Sequence, residues 1–171
     1  MKFVIGLILG LLVFPMGVYL YFRFGYAPVA TAASPIPFEI KLAHMGLHAA
    51  IDKYAPKSAP FQPSNTDFQN AAHLYRAHCA VCHGLPDGDK TATANGQFPK
   101  PPQLLHGKGV TDDPPGETYW KVANGIRLSG MPAYRQSLSD NEMWQLSLML
   151  AQADKLPDDA RAILKQPWSI N

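Results

Sequence analysis

Both cysteines of this 171-residue chain fall within five residues, Cys79-Ala80-Val81-Cys82-His83. Two thiols three positions apart can reach the two vinyl groups of one porphyrin while the next side chain turns under the iron, which is the spacing of covalent c-type haem attachment. One haem held by two thioethers would supply the chemistry, and the polypeptide would supply ligands, burial and docking surface. Three other uses of the same residues are weaker. A thioredoxin-type dithiol needs a βαβ setting, and no alternation of strand and helix patterns surrounds Cys79. A structural zinc site needs four ligands, and the adjacent Cys82 and His83 can hardly both face one tetrahedral ion when the chain has no further cysteine. A plain disulfide or a pair of inert thiols would leave the next motif without a purpose.

That motif is Asn124-Gly125-Ile126-Arg127-Leu128-Ser129-Gly130-Met131-Pro132-Ala133-Tyr134, whose Met131 lies 48 positions after His83. A thioether opposite an imidazole favours ferrous iron, raises the reduction potential and leaves no open coordination site. Gly130 and Pro132 suit presentation of Met131 from a loop, one by its small size and the other by its locked φ. Met1 and Met16 sit in an N-terminal apolar stretch, Met45 precedes the domain, and Met143 and Met149 read as helix-core positions. His106 is the alternative sixth ligand, and it would give bis-histidine coordination and a lower potential.

With both motifs in view, residues from about Thr66 to Ala151 resemble a class I cytochrome c domain. The resemblance rests on Cys79-Ala80-Val81-Cys82-His83-Gly84 at the end of one helix and on the Asn-Gly-Ile-Arg-x-x-Gly-Met-Pro-Ala-aromatic run before a last helix. It implies a small all-α fold wrapped around one haem c and its iron, and single-electron transfer between redox partners. It assigns Cys79 and Cys82 to the thioether bonds, His83 to the proximal position and Met131 to the distal one. It also suggests that the backbone of Pro101-Pro102 accepts the second ring N–H of His83, since a ligating histidine is usually oriented by such an acceptor. Trp120, Tyr134 and Arg127 are candidates to line the haem or bind its propionates.

Local helix signals agree. After Thr66, a favourable N-cap, Phe68, Ala71, Ala72, Tyr75 and Cys79 make an apolar stripe into the pentapeptide. Glu117 to about Ala123 reads as a short helix stopping at Asn124-Gly125. Ser139-Asp140-Asn141-Glu142 is a capping box that opens an amphipathic helix to about Ala153. The Gly- and Pro-rich stretch Leu85 to Pro115 has no clear periodicity and is expected to pack on the prosthetic group instead.

The expected organisation is an anchor over residues 1–25, a juxtamembrane helix and Pro-rich linker over 26–65, the haem domain over 66–153 and a tail over 154–171. From Phe3 to Phe22 there are 20 residues without a charge, enough as a helix to span about 30 Å of bilayer. Lys2 and Arg23 bracket it, and Tyr19, Tyr21, Phe22, Phe24 and Tyr26 crowd one end as an interfacial belt would. Ala30-Thr31-Ala32 resembles a secretory cleavage site, but the apolar stretch exceeds the roughly 7 to 15 residues of a signal core. Ile40, Ala43, Leu47, Ile51 and Tyr54 recur at helical spacing, with His44 and His48 one turn apart and no evident third ligand. The tail is expected to form a short surface helix from Pro157 to about Lys165, with Trp168 anchoring it.

Without Lys2 and Arg23 the chain carries 13 basic and 13 acidic residues, a balance that disfavours nucleic-acid binding. Lys90, Lys100, Lys108, Lys121, Arg127 and Arg135 fall in the segment expected around the haem and could form a mildly basic docking rim. Two classes of function follow. The first is a membrane-tethered electron carrier, with no catalytic residues or small-molecule substrate, whose haem domain faces the periplasm. The second is a fixed haem subunit of an oxidoreductase, or a ligand-binding haem sensor. Retention of the anchor predicts that mass spectrometry of the mature protein finds the N-terminal segment intact; a start near Ala33 would refute it.

Overall fold

The computed structural model describes residues 2–88, 90–105 and 112–167. It is all-helical: α1 (Lys2–Arg23), α2 (Glu39–Tyr54), α3 (Asn65–His78), α4 (Ala80–His83), α5 (Ala92–Asn95), α6 (Pro115–Asn124), α7 (Asp140–Leu150) and α8 (Asp158–Lys165). Among the described residues the extended backbone amounts to one isolated bridge, Ile126 with Met131. The chain divides into two compact units, Met1–Ala43 and His44–Asn171.

In the first unit, α1 is long and apolar enough to cross a membrane, with an 18-residue window from Gly6 to Arg23 of mean hydropathy 1.6. Its end is specified locally. Gly25 adopts φ +74°, its N–H donates to Phe22 O at 3.1 Å and that of Tyr26 to Tyr21 O at 3.1 Å, which together make a Schellman termination.

In the second unit, α3 packs against α7 and α8, and α6 packs against α7. The stripe expected on α3 is the buried one: Phe68, Ala71, Ala72 and Tyr75 all enter the core. Its cap lies two residues earlier than Thr66. Ser64 Oγ accepts from Asp67 N, and the Asp67 carboxylate accepts from Ser64 N at 2.8 Å, a reciprocal box that gains an extra half-turn. The Ser139–Glu142 box forms as expected and starts α7.

Three segments depart from expectation. The Pro-rich stretch after α2 is more than a linker: Ala59 and Phe61 pack on the core, and Pro56 lies against α6. A Cβ on Gly116 would sit 1.9 Å from the Pro56 carbonyl oxygen, so glycine is what admits this close crossing. The second concerns α8, which forms a surface helix as expected, with Asp158, Asp159, Arg161, Ala162 and Lys165 exposed, but docks its other face on the core. Leu156, Ala160 and Leu164 are essentially fully buried, Asp159 accepts from Gln69, and the Arg76 guanidinium reaches the carbonyls of Gln166 and Pro167 just beyond the helix. Trp168 lies outside the described residues. Third, the long connection contains a one-turn helix, α5, capped by Thr91, whose Oγ1 accepts from Ala94 N at 3.0 Å.

Asp67 joins two elements, because Gln145 of α7 donates to its other oxygen at 2.8 Å. Hydrogen bonds from the Ser64 side chain, the Ser64 backbone and Gln145 hold its carboxyl below the ordinary carboxylate value. A depressed native pKa stabilises the fold above about pH 4 and is lost as pH falls through the native value. Asp67→Asn is therefore expected to cost about 1 kcal/mol at neutral pH and to flatten the acid side of the stability profile, measured by denaturant unfolding between pH 2 and 7.

Candidate functional site

The pentapeptide sits where α3 hands over to α4. Cys79 N donates to Tyr75 O at 2.8 Å, His83 N to Cys79 O at 2.9 Å and Gly84 N to Ala80 O at 2.9 Å, so one helical turn carries Cys79, Cys82 and His83. Residues three and four apart on a helix share a face. Gly84, at φ +75°, stops the turn. Both cysteines are unpaired thiols. Burial, and then the neighbouring Cys82, push the Cys79 thiol up to about 12. It therefore stays protonated at neutral pH, unlike the low-pKa thiolate of a redox-active dithiol.

His83 is oriented by the backbone. Its Nδ1 lies 2.8 Å from Pro102 O, and because a carbonyl only accepts, Nδ1 must carry the hydrogen and Nε2 the free lone pair. Burial lowers the imidazole pKa, partly opposed by that hydrogen bond, which keeps the ring neutral. The acceptor expected from Pro101-Pro102 is thus the Pro102 carbonyl. Beside it, the Gln103 amide lies against Gly84, where a Cβ would fall 2.1 Å from Gln103 Oε1. Both polar atoms of Gln103 are buried without a partner among the described residues. Buried amides are seldom left so, and such a group is ordinarily met by ordered water, an ion or a bound group.

The second motif forms a tight loop after α6. Ile126 N donates to Met131 O at 3.1 Å, Ser129 Oγ to Ile126 O at 2.7 Å and Met131 N to Ser129 Oγ at 3.2 Å. Gly125, at φ +67°, makes the close approach possible: a Cβ there would lie 2.7 Å from Ala133 N and 2.8 Å from Met131 O. Met131 is partly buried and packs on the same core as Cys79, Leu85, Leu105 and Tyr134. A shallow depression of about 450 Å³ adjoins it, lined by residues of its own segment from Asn124 to Pro132; Cys79, Cys82 and His83 do not line it.

The two motifs are joined through Tyr134. Its hydroxyl donates to His78 O at 2.8 Å and its ring meets His78 edge-on at 5.8 Å. That hydroxyl is thereby committed to the backbone rather than free for a propionate. Trp120 is half-buried and outside the core cluster, Arg127 is exposed, and His106 lies outside the described residues. The rings of His44 and His48 stand 6.2 Å apart, and no group of three metal-binding side chains occurs among the described residues. Sequence reasoning missed Gln103, Gln97, whose Nε2 lies 3.2 Å from Cys82 Sγ, and the Tyr119–Trp144 stack at 4.3 Å. Only contacts distant in sequence reveal these three.

Residues 66–148 match the family described as cytochrome C oxidase, cbb3-type, subunit III. This stretch is a cytochrome c domain. Among solved structures, the Kuenenia stuttgartiensis reducing HAO-like protein complex aligns with 72% of this chain and 66% of its own, at 20% identity and a TM-score of 0.49. No curated protein matches the sequence. A cytochrome c domain implies haem c with its iron, and the residues present fit that group: two thiols on one turn, a neutral imidazole held through Nδ1, a thioether in a hydrogen-bonded loop and a buried amide beside them. Gly125→Ala is expected to displace the Met131 loop. Unfolding should show a loss of about 1–3 kcal/mol for the strained left-handed position, with α3 and α7 intact by circular dichroism.

Proposed function

We propose that the chain is a membrane-tethered electron carrier whose cytochrome c domain holds one covalent haem between His83 and Met131. Cys79 and Cys82 supply the two thioether sulfurs, His83 Nε2 the proximal ligand and Met131 Sδ the distal one. Bound there, the iron supplies one-electron chemistry and the protein no further reaction. The observation that carries the reading is the 2.8 Å contact between His83 Nδ1 and Pro102 O. It fixes the tautomer, keeps the ring from turning and makes Nε2 the better donor. The Pro102 carbonyl therefore does for this histidine what a carboxylate does in many metal sites. Met131, held by the Ile126 and Ser129 hydrogen bonds, would be the second protein ligand to the iron and would leave no open site for water or small ligands. Gln103 supplies an amide to the buried edge near Gly84.

In this reading α1 stays in the cytoplasmic membrane of a bacterium and the domain faces the periplasm, where haem attachment of this kind takes place. Its length and apolar composition support the tether. The matched family takes its description from an oxidase subunit, which favours a second reading as a fixed electron-transfer subunit; co-purification of further subunits in mild detergent would select it.

Cys82→Ala, expressed in a host competent for cytochrome maturation, is expected to yield largely haem-free, unstable protein. Met131→Ala should retain haem but lower its potential by about 0.1 V or more, within the roughly 0.8 V that axial ligation commands. It should also lose the weak sulfur-to-iron charge-transfer band and gain carbon monoxide binding. A normal potential in that variant would mean that another residue is the distal ligand.

A further inference from the structure

Single exposed leucines are ordinary on protein surfaces and need no explanation. Leu128 differs in its backbone. It is 92% exposed and adopts φ +62°, a region in which the Cβ of an L residue crowds the following carbonyl. Glycine would hold the same turn without that penalty, and asparagine would tolerate it better. Nor does the loop need the leucine side chain: its closure comes from the Ile126 N to Met131 O bond and from Ser129, whose hydroxyl bonds both Ile126 O and Met131 N. A residue that opposes folding locally and contributes no packing is explained by what it meets when another molecule arrives.

The surroundings define that molecule. Arg127, next to it, is exposed and has no ion pair among the described residues. Both residues line the depression that adjoins Met131, so whatever docks there stands close to the distal ligand of the proposed haem. We propose that Leu128 is an apolar anchor for a redox protein, whose docking surface is an apolar patch edged by carboxylates that meet Arg127. This rests on the electron-carrier reading above.

The test uses full-length haem-loaded protein, pre-reduced and mixed with detergent-solubilised membranes of its native host, with reoxidation followed by haem absorbance. Leu128→Gly and Leu128→Asn are expected to slow this second-order transfer by about fivefold or more, as loss of an interface anchor does. Both should keep the wild-type rate with hexaammineruthenium(III), which requires no docking surface, and should melt no lower than wild type. Wild-type rates in both variants would overturn the anchor alone. A changed haem spectrum or potential would place Leu128 against the porphyrin, and a deficit confined to intact membranes would assign it to lipid; either overturns the proposal. A wild-type protein that exchanges electrons with ruthenium but not with the membranes would overturn the carrier reading, and the anchor with it.

Discussion

The burial of α7 on every side is the constraint on which the site depends. All residues from Met143 to Leu150 are buried, and α3 and α6 both pack on this one helix. Each then continues into one of the two motifs, α3 into the Cys79–His83 turn and α6 into the Met131 loop. A buried Leu or Met is worth about 2–5 kcal/mol against truncation, whereas a hydrogen bond such as that of Tyr134 to His78 contributes about 1 kcal/mol. Apolar packing therefore sets where the motifs lie, and the hydrogen bonds set their register. The polar groups that α7 takes into the core are satisfied: Ser147 bonds Met143 O at 2.7 Å, and Gln145 bonds Asp67.

What could be read in advance follows from the range of each interaction. The Cys79–His83 turn, the Ser139–Glu142 box and the stripe on α3 are written in residues three or four apart, so helical geometry alone reveals them. The Pro102 acceptor follows from the family resemblance and the general habit of ligating histidines, and the backbone supplies it. By contrast, Gly116 is informative only once Pro56 lies on it, some 60 positions away in sequence. The buried face of α8 had a visible signal in the spacing of Leu156, Ala160, Ile163 and Leu164, but its placement depends on α3 across 90 residues. The shift of the α3 cap from Thr66 to Ser64 is a local error. Thr66 has Gln69 three positions on and Ser64 has Asp67, so both offer a box by sequence, and the reciprocal one that forms is Ser64 with Asp67.

The two motifs differ in backbone: Cys79, Cys82 and His83 ride on a helical turn, whereas Met131 sits in an irregular loop. A regular helix would offer Met131 a backbone already committed to its own hydrogen bonds, with Pro132 breaking the ladder one residue later. In the loop, Gly125 lets the backbone pass within van der Waals distance of itself, and Ser129 supplies the bonds that a ladder would have made. Beside the Cys79–His83 turn the proline-rich strip performs the corresponding task. Pro102 cannot donate, so its carbonyl is the part of the residue available for a hydrogen bond, and it is spent on His83.

Electrostatics sharpen what the outer surface can do. Six cations fall in the segments expected around the haem, but they are not equivalent. Lys121 is bound by Glu117 at 2.7 Å and by Asp113 at 3.4 Å, both partly sheltered, and Arg135 acts on the hydroxyl of Tyr119, which also bonds Asp140. Lys108 lies outside the described residues. Lys90, Lys100 and Arg127 are exposed, and an exposed charge acts across roughly 8–10 Å at physiological salt. Three charges within that range of their own positions steer a partner only weakly, so electrostatics alone makes a poor selector for this domain. Discrimination between partners then falls to short-range apolar contact on the same face, where desolvation rewards a fit that charge does not specify.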